Sequence, residues 1–166
     1  MNRMKFAINI LIICLLASLS ISCEAQEIDN LMTNRDKREM LRLVNQARQK
    51  GVRCGKTWQK PVEPLKWDDQ LEQAAIDKSL DMYKNNYFDH DSPNGENLSD
   101  RLLKTNYAWR TIGENLALGP TSVQLAVATL LESEGHCKNI MKAEFTHLGA
   151  AQYGTYWTQV FAKPKK

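Results

Sequence analysis

A layered α/β domain is what the sequence predicts for most of this chain, on three observations. Apolar residues recur at helical spacing over much of its length, and the closing segment switches to alternation. The part left behind a leader, about 140 residues, is the commonest size for one domain. A chain of that length buries a core without outside help.

Taken in order, residues 26–35 are polar, lack periodicity and read as a tether. The first helix is expected over about 36–50. Thr33 and Asp36 have capping-box spacing, Gly51 stands as a stop, and Met40, Leu43, Val44 and Ala47 form one stripe. Residues 51–55 read as a loop. Pro61 and Pro64 break regular structure before a short extended piece, Leu65-Lys66-Trp67. Asp68 can cap a second helix over about 69–85, with Leu71, Ala74, Ala75, Leu80 and Met82 inward. Asn94-Gly95 marks a turn in the loop that begins at Phe88. A short helix is expected over 99–104, and residues 111–117 read as a loop leading into a brief strand. Ser122 or Thr121 caps a helix over about 123–133, with Val123, Val127, Leu130 and Leu131 apolar. Gly135 ends it, His136 follows, and one helical turn comes at 138–141. Beyond Leu148 the period becomes two. Trp157, Gln159 and Phe161 fall on one side, in a hairpin turning near Tyr153-Gly154. Helices followed by an antiparallel hairpin make a layered domain.

Residues 1–25 read as a targeting segment. Arg3 and Lys5 are its positive start, and Ile8 to Leu19 is an apolar run too short to span a bilayer comfortably. Two cleavages are open. Ser20-Ile21-Ser22-Cys23 resembles a lipoprotein signal, with Cys23 acylated and the domain tethered to a membrane. Alternatively, cleavage after Ala25 frees the chain. Either way an exported protein is expected: extracellular, periplasmic or membrane-anchored. The formal charge of +3 misleads, because without Arg3 and Lys5 the chain has 20 basic side chains against 19 acidic. No nucleic-acid partner is expected of a near-neutral domain. If Cys23 is acylated and Cys14 leaves with the leader, Cys54 and Cys137 remain. Two thiols left in an exported chain read as one disulfide.

His90, in a loop, and His136, at a helix end, are both placed to face a cleft. Glu114 stands between Gly113 and Asn115. Two imidazoles and a carboxylate suffice for a zinc site with an open position, or for acid–base work near neutral pH. Spacing alone does not bring them together. Ser133 lacks the surroundings of a nucleophile elbow.

Five segments share a family's order. Phe88-Asp89-His90, Gly113-Glu114-Asn115-Leu116-Ala117, Ser133 to Met141, Phe145 to Gly149 and Tyr156 to Phe161 together resemble the CAP superfamily in its bacterial form. This is the group of cysteine-rich secretory and pathogenesis-related type 1 proteins. The resemblance runs from about residue 37 to 164 and sets the expected domain at 36–164. It implies an α+β fold, a three-layer α-β-α sandwich with a central antiparallel sheet. It also implies a cavity where two His and two acidic residues meet, able in some members to hold a divalent metal such as zinc. His90, Glu114 and His136 match three of the four. The fourth has no clear counterpart, since Glu132 and Glu134 are near His136 but off the motif position. Cys54 and Cys137 fall where bacterial relatives often carry Cys. Arg101 resembles a family Arg that bridges the His90 loop to a helix.

Two functions from different classes follow. One is a non-enzymatic extracytoplasmic binding module whose cleft takes a lipid, an envelope glycan or a protein. The other is a metal- or His/Glu-dependent hydrolase of peptidase type, with His90 and His136 as ligands and Glu114 orienting one of them. A purely structural envelope role is the third possibility.

Overall fold

Capping chemistry sets the first element. In the structure, a computed structural model that describes residues 31–165, helix α1 runs Asn34–Lys50. Thr33 and Asp36 form the expected capping box, and it starts the helix two residues earlier than expected. The leader and the first part of the tether lie outside the described residues.

Strands β1 (Val52–Cys54) and β2 (Thr57–Gln59) pair antiparallel, so the expected loop at 51–55 is half of a small hairpin. Strand β3 (Lys66–Trp67) leads to helix α2 (Asp69–Asn85), capped by Asp68. Helix α3 (Leu98–Lys104) starts from an Asn97–Asp100 capping box. Strand β4 (Trp109–Leu118) is followed by helices α4 (Val123–Glu132) and α5 (Glu134–Ile140), and β5 (His147–Tyr153) turns into β6 (Tyr156–Pro164).

Two elements differ from expectation. The segment expected as a loop before a brief strand is a strand of ten residues, β4. Gly135 does not end a helix; it lies with His136 inside α5, where a side chain at Gly135 would meet only open space.

The main sheet has the order β3-β5-β6-β4, antiparallel except for the short β3–β5 pairing, and β4 is an edge. Its two faces are covered by different helices. Leu148, Ala150, Trp157 and Phe161 meet Met40 and Val44 of α1, Val127 and Leu130 of α4, and Ile140 of α5. Ala151, Val160 and Ala162 meet Leu71, Ala74 and Ala75 of α2 and Leu102 of α3. The result is an α-β-α sandwich. The period-two reading of β6 is right, with both faces buried. Helix α2 presses onto β5 at Gly149, where a Cβ would fall 2.0 Å from the Glu72 backbone nitrogen. Only glycine admits that approach.

Arg48 of α1 is fully buried. Its guanidinium donates to the carbonyls of Glu63 (2.8 Å), Ile140 (2.7 Å), Lys142 (3.0 Å) and Phe145 (3.2 Å), joining α1 to the chain beyond α5. A Cys54–Cys137 disulfide links the β1–β2 hairpin to α5. Residues 32–166 thus carry their own cores and cross-link as one compact unit.

Candidate functional site

The edge position of β4 builds the site. Side chains alternate along a strand, so neighbours Glu114 and Asn115 serve opposite faces. Asn115 faces the α4–α5 layer. Its amide donates to the His136 carbonyl (3.1 Å) and to Gln159 (3.2 Å), its partner across the β4–β6 ladder. Glu114 faces the α2–α3 layer, with its side chain only 3% exposed. One carboxylate oxygen meets His90 Nδ1 at 2.8 Å, and the other accepts from Arg101 Nη2 at 2.7 Å. Arg101 is itself buried and also reaches the His90 and Glu96 carbonyls, as the expected bridge requires. Its Nε has no hydrogen-bond partner among the described residues. Asn139 of α5 donates to the Glu114 carbonyl (3.1 Å) and to Asn115 (3.0 Å), fastening α5 to the edge.

His90 keeps 56% of its side chain exposed and opens outward from this anchor. The hydrogen bond to Glu114 raises its pKa against the opposing effect of partial burial. His136, half-buried on α5, has its pKa lowered, first by burial and then by the nearby His90 charge. His136 therefore feels the His90 charge, although the two come from opposite layers. As pH falls, His90 should protonate first and His136 later, on either side of the ordinary value of about 6.5. A ring-proton NMR titration, assigned with H90Q and H136Q, checks the order; coincident titrations would contradict it. The linkage signs are opposed. Stability from the His90 pairing is full below about pH 6.5 and fades as pH rises through the raised folded pKa. Stability from neutral His136 is full above about pH 6.5 and is lost as pH falls through the lowered one.

Behind His90 lies a polar cluster that the sequence did not disclose. Lys78 of α2 is fully buried, donating to the Tyr87 hydroxyl (3.0 Å) with its ammonium 4.7 Å from that ring's centroid. Burial and then Arg101 pull its pKa down. The Tyr87 hydroxyl hydrogen-bonds Asp81, which also accepts from Ser92 Oγ (2.7 Å). Burial would raise the Asp81 carboxyl, but bonds from Tyr87, Ser92 and Asn85 hold it below its usual value. Burial and the Asp81 bond push Tyr87 up to about 12. The cluster pins the chain on either side of His90, at Tyr87 and Ser92.

The remaining candidates lie apart from this centre. Glu134 pairs with Lys138 (2.6 Å) and rests against Gly55 of the hairpin turn; Glu132 is exposed. Neither shares a hydrogen bond or ion pair with His90, Glu114 or His136 among the described residues. Nor does any group of three or more His, Cys, Asp or Glu there have the geometry to hold a metal ion. The donor set is two imidazoles, one oriented by a carboxylate, short of the three protein ligands of a catalytic zinc site.

A side chain at Gly113 would bring Cβ to 2.7 Å from Phe145 Cζ, in the core beside Glu114. G113A should cost about 1–3 kcal/mol by overpacking. Urea melts measure this, and an unchanged midpoint would contradict it.

Residues 41–161 match the family model described as CAP, the cysteine-rich secretory protein family. This chain belongs to the CAP family. The CAP domain is 36% identical over 126 residues to an uncharacterized Bacillus subtilis protein, YkwD, covering 75% of this chain and 46% of that protein. The chain spans less than half the length of the curated relatives it matches. Among solved structures it is similar to an extracellular SCP-domain protein from Bacillus anthracis, with TM-score 0.68 and 34% identity. That likeness covers 78% of this chain and 41% of the other. An outer surface protein from Borrelia burgdorferi shares the fold, with TM-score 0.68, 20% identity, and 81% and 96% coverage.

Proposed function

We propose that this chain is an exported CAP-domain binding module whose cleft of His90, Glu114 and His136 holds an envelope ligand: a lipid headgroup, a glycan or a protein. The observation that carries this reading is the state of Glu114. Both its oxygens are engaged, by His90 and by buried Arg101. A carboxylate so held orients an imidazole but is not free to take a proton from substrate. Exposed His90 and half-buried His136 then offer a ligand one readily protonated imidazole and one that stays neutral. Among the described residues the hydrolase reading lacks an activated nucleophile and a third metal ligand at this cleft. Export rests on the leader at residues 1–25, with Cys23 as the proposed acylation site. The described helices include none long and apolar enough to cross a membrane.

The test is histidine-ring NMR of the domain with N-acetylglucosamine oligomers, short-chain phosphatidylglycerol and a mixed peptide pool in turn. Shifts at His90 and His136 with one class, lost in H136Q, support the reading and name the ligand. Cleavage of any of them, abolished by H90Q, would replace it with the hydrolase; no shift with any class would defeat it.

A further inference from the structure

We propose that the β1–β2 hairpin is a docking surface for the face of an anionic phospholipid bilayer. This inference is independent of the cleft. From residue 40 to 62 the chain has no Asp or Glu, yet it carries six Lys or Arg. Two of these are engaged elsewhere: Arg48 is buried on carbonyls and Arg42 pairs with Glu39. The other four, Lys50, Arg53, Lys56 and Lys60, are exposed and make no ion pair among the described residues. Glu134, whose carboxylate rests on Gly55, is matched by Lys138.

The ladder decides which way the hairpin presents these groups. Cys54 turns inward to its disulfide, fully buried. Its neighbour Arg53 therefore turns outward, directly opposite Trp58 in the register. Trp58 is 54% exposed, and its indole N–H bonds nothing in the described residues. By contrast, the ring nitrogens of Trp67 and Trp157 both donate within the protein. Gly51, at φ 73°, lets the Trp58 ring lie across the backbone there instead of folding into the core. An indole with an apolar body and an N–H unpartnered among the described residues, opposite Arg53 on a segment with three more exposed cations that make no ion pair there, matches the interface of an anionic membrane. The ring seats among headgroups, and the cations meet lipid phosphates. The rest of the domain is near neutral, so the attraction acts within a Debye length of about 10 Å. The disulfide to α5 holds the hairpin in this pose.

The test uses residues 32–166, the compact unit with its own cores and cross-link, and two vesicle types. One is phosphatidylcholine alone; the other is equal parts phosphatidylcholine and phosphatidylglycerol. The expected result is partitioning onto the anionic vesicles only, weakened by salt, with a blue shift of tryptophan emission. K56Q/K60Q, at exposed positions whose side chains make no hydrogen bond or ion pair among the described residues, should partition about 25-fold less, at roughly fivefold per cation. W58F should bind more weakly and lose the blue shift. Equal binding to neutral vesicles, no binding to anionic ones, or partitioning unchanged in K56Q/K60Q would each overturn the proposal. So would tighter binding to a single-stranded DNA oligomer than to the vesicles. None of these results touches the cleft, whose histidine resonances report on it separately.

Discussion

Replacing Arg101 with methionine should cost the domain about 3–5 kcal/mol, because it strands a carboxylate in the interior. Methionine fills much of the volume, so packing loss is small and the charge dominates. The Arg101 and Glu114 side chains are 2% and 3% exposed and meet at 2.7 Å. Their attraction survives burial because both are present; removing Arg101 leaves one Glu114 oxygen buried without its cation, with only His90 on the other. The same substitution releases the carbonyls of His90 and Glu96, so the His90 loop should loosen in step. Urea denaturation gives the energy and His90 ring resonances give the loop. The double variant R101M/E114Q, which removes both charges of this pair, should recover part of the loss. A single-variant cost below about 1 kcal/mol would show that water reaches Glu114 and that the pair is not sealed.

Opening the Cys54–Cys137 bond should have the second large effect. The linked residues stand 83 positions apart. Chain entropy values such a closure at about 4–5 kcal/mol, with smaller measured losses where the unfolded chain keeps structure. Comparing denaturation of the native protein with C54S/C137S measures the loss. Local effects should be lopsided. His136 precedes Cys137 on α5, whereas His90 and Glu114 are held by α2 and α3. The His136 resonance should broaden in the variant while that of His90 keeps its titration. Equal broadening of both would mean that the two layers do not move separately.

The sequence disclosed most of what obeys local rules. Thr33 with Asp36, Asp68 and Ser122 are caps whose oxygens must meet free N–H groups, so the helices begin where or nearly where they were read. Trp157, Gln159 and Phe161 alternate because β6 is a strand, and the turn comes at Gly154, at φ 58°. Three features stayed hidden for a physical reason each. Strand β4 did not read as a long strand because Glu114 to Ala117 are all buried, which erases the alternation that marks a half-exposed strand. Gly135 reads as a stop, yet it is tolerated in the first turn of α5. Lys78 and Arg48 stand on helices where charge normally means solvent; only tertiary structure supplies the hydroxyl and carbonyls that let them be buried. The site was legible in the same measure. His90 and Glu114 meet as the motif order suggested, but their dependence on Lys78, Tyr87, Asp81 and Ser92 crosses elements and leaves no local pattern.

The exposed side of β4 has one more consequence. A strand with a neighbour on only one side offers its free backbone groups to any passing chain, and sheets extend from one molecule to the next along such margins. Here Asn139 occupies the Glu114 carbonyl, and α5 is fastened along that margin by the same amide. The amide that fastens α5 to β4 therefore also takes up an acceptor on that strand, which an added strand would have to displace. A variant that frees Asn139 should loosen α5 and reopen that acceptor together.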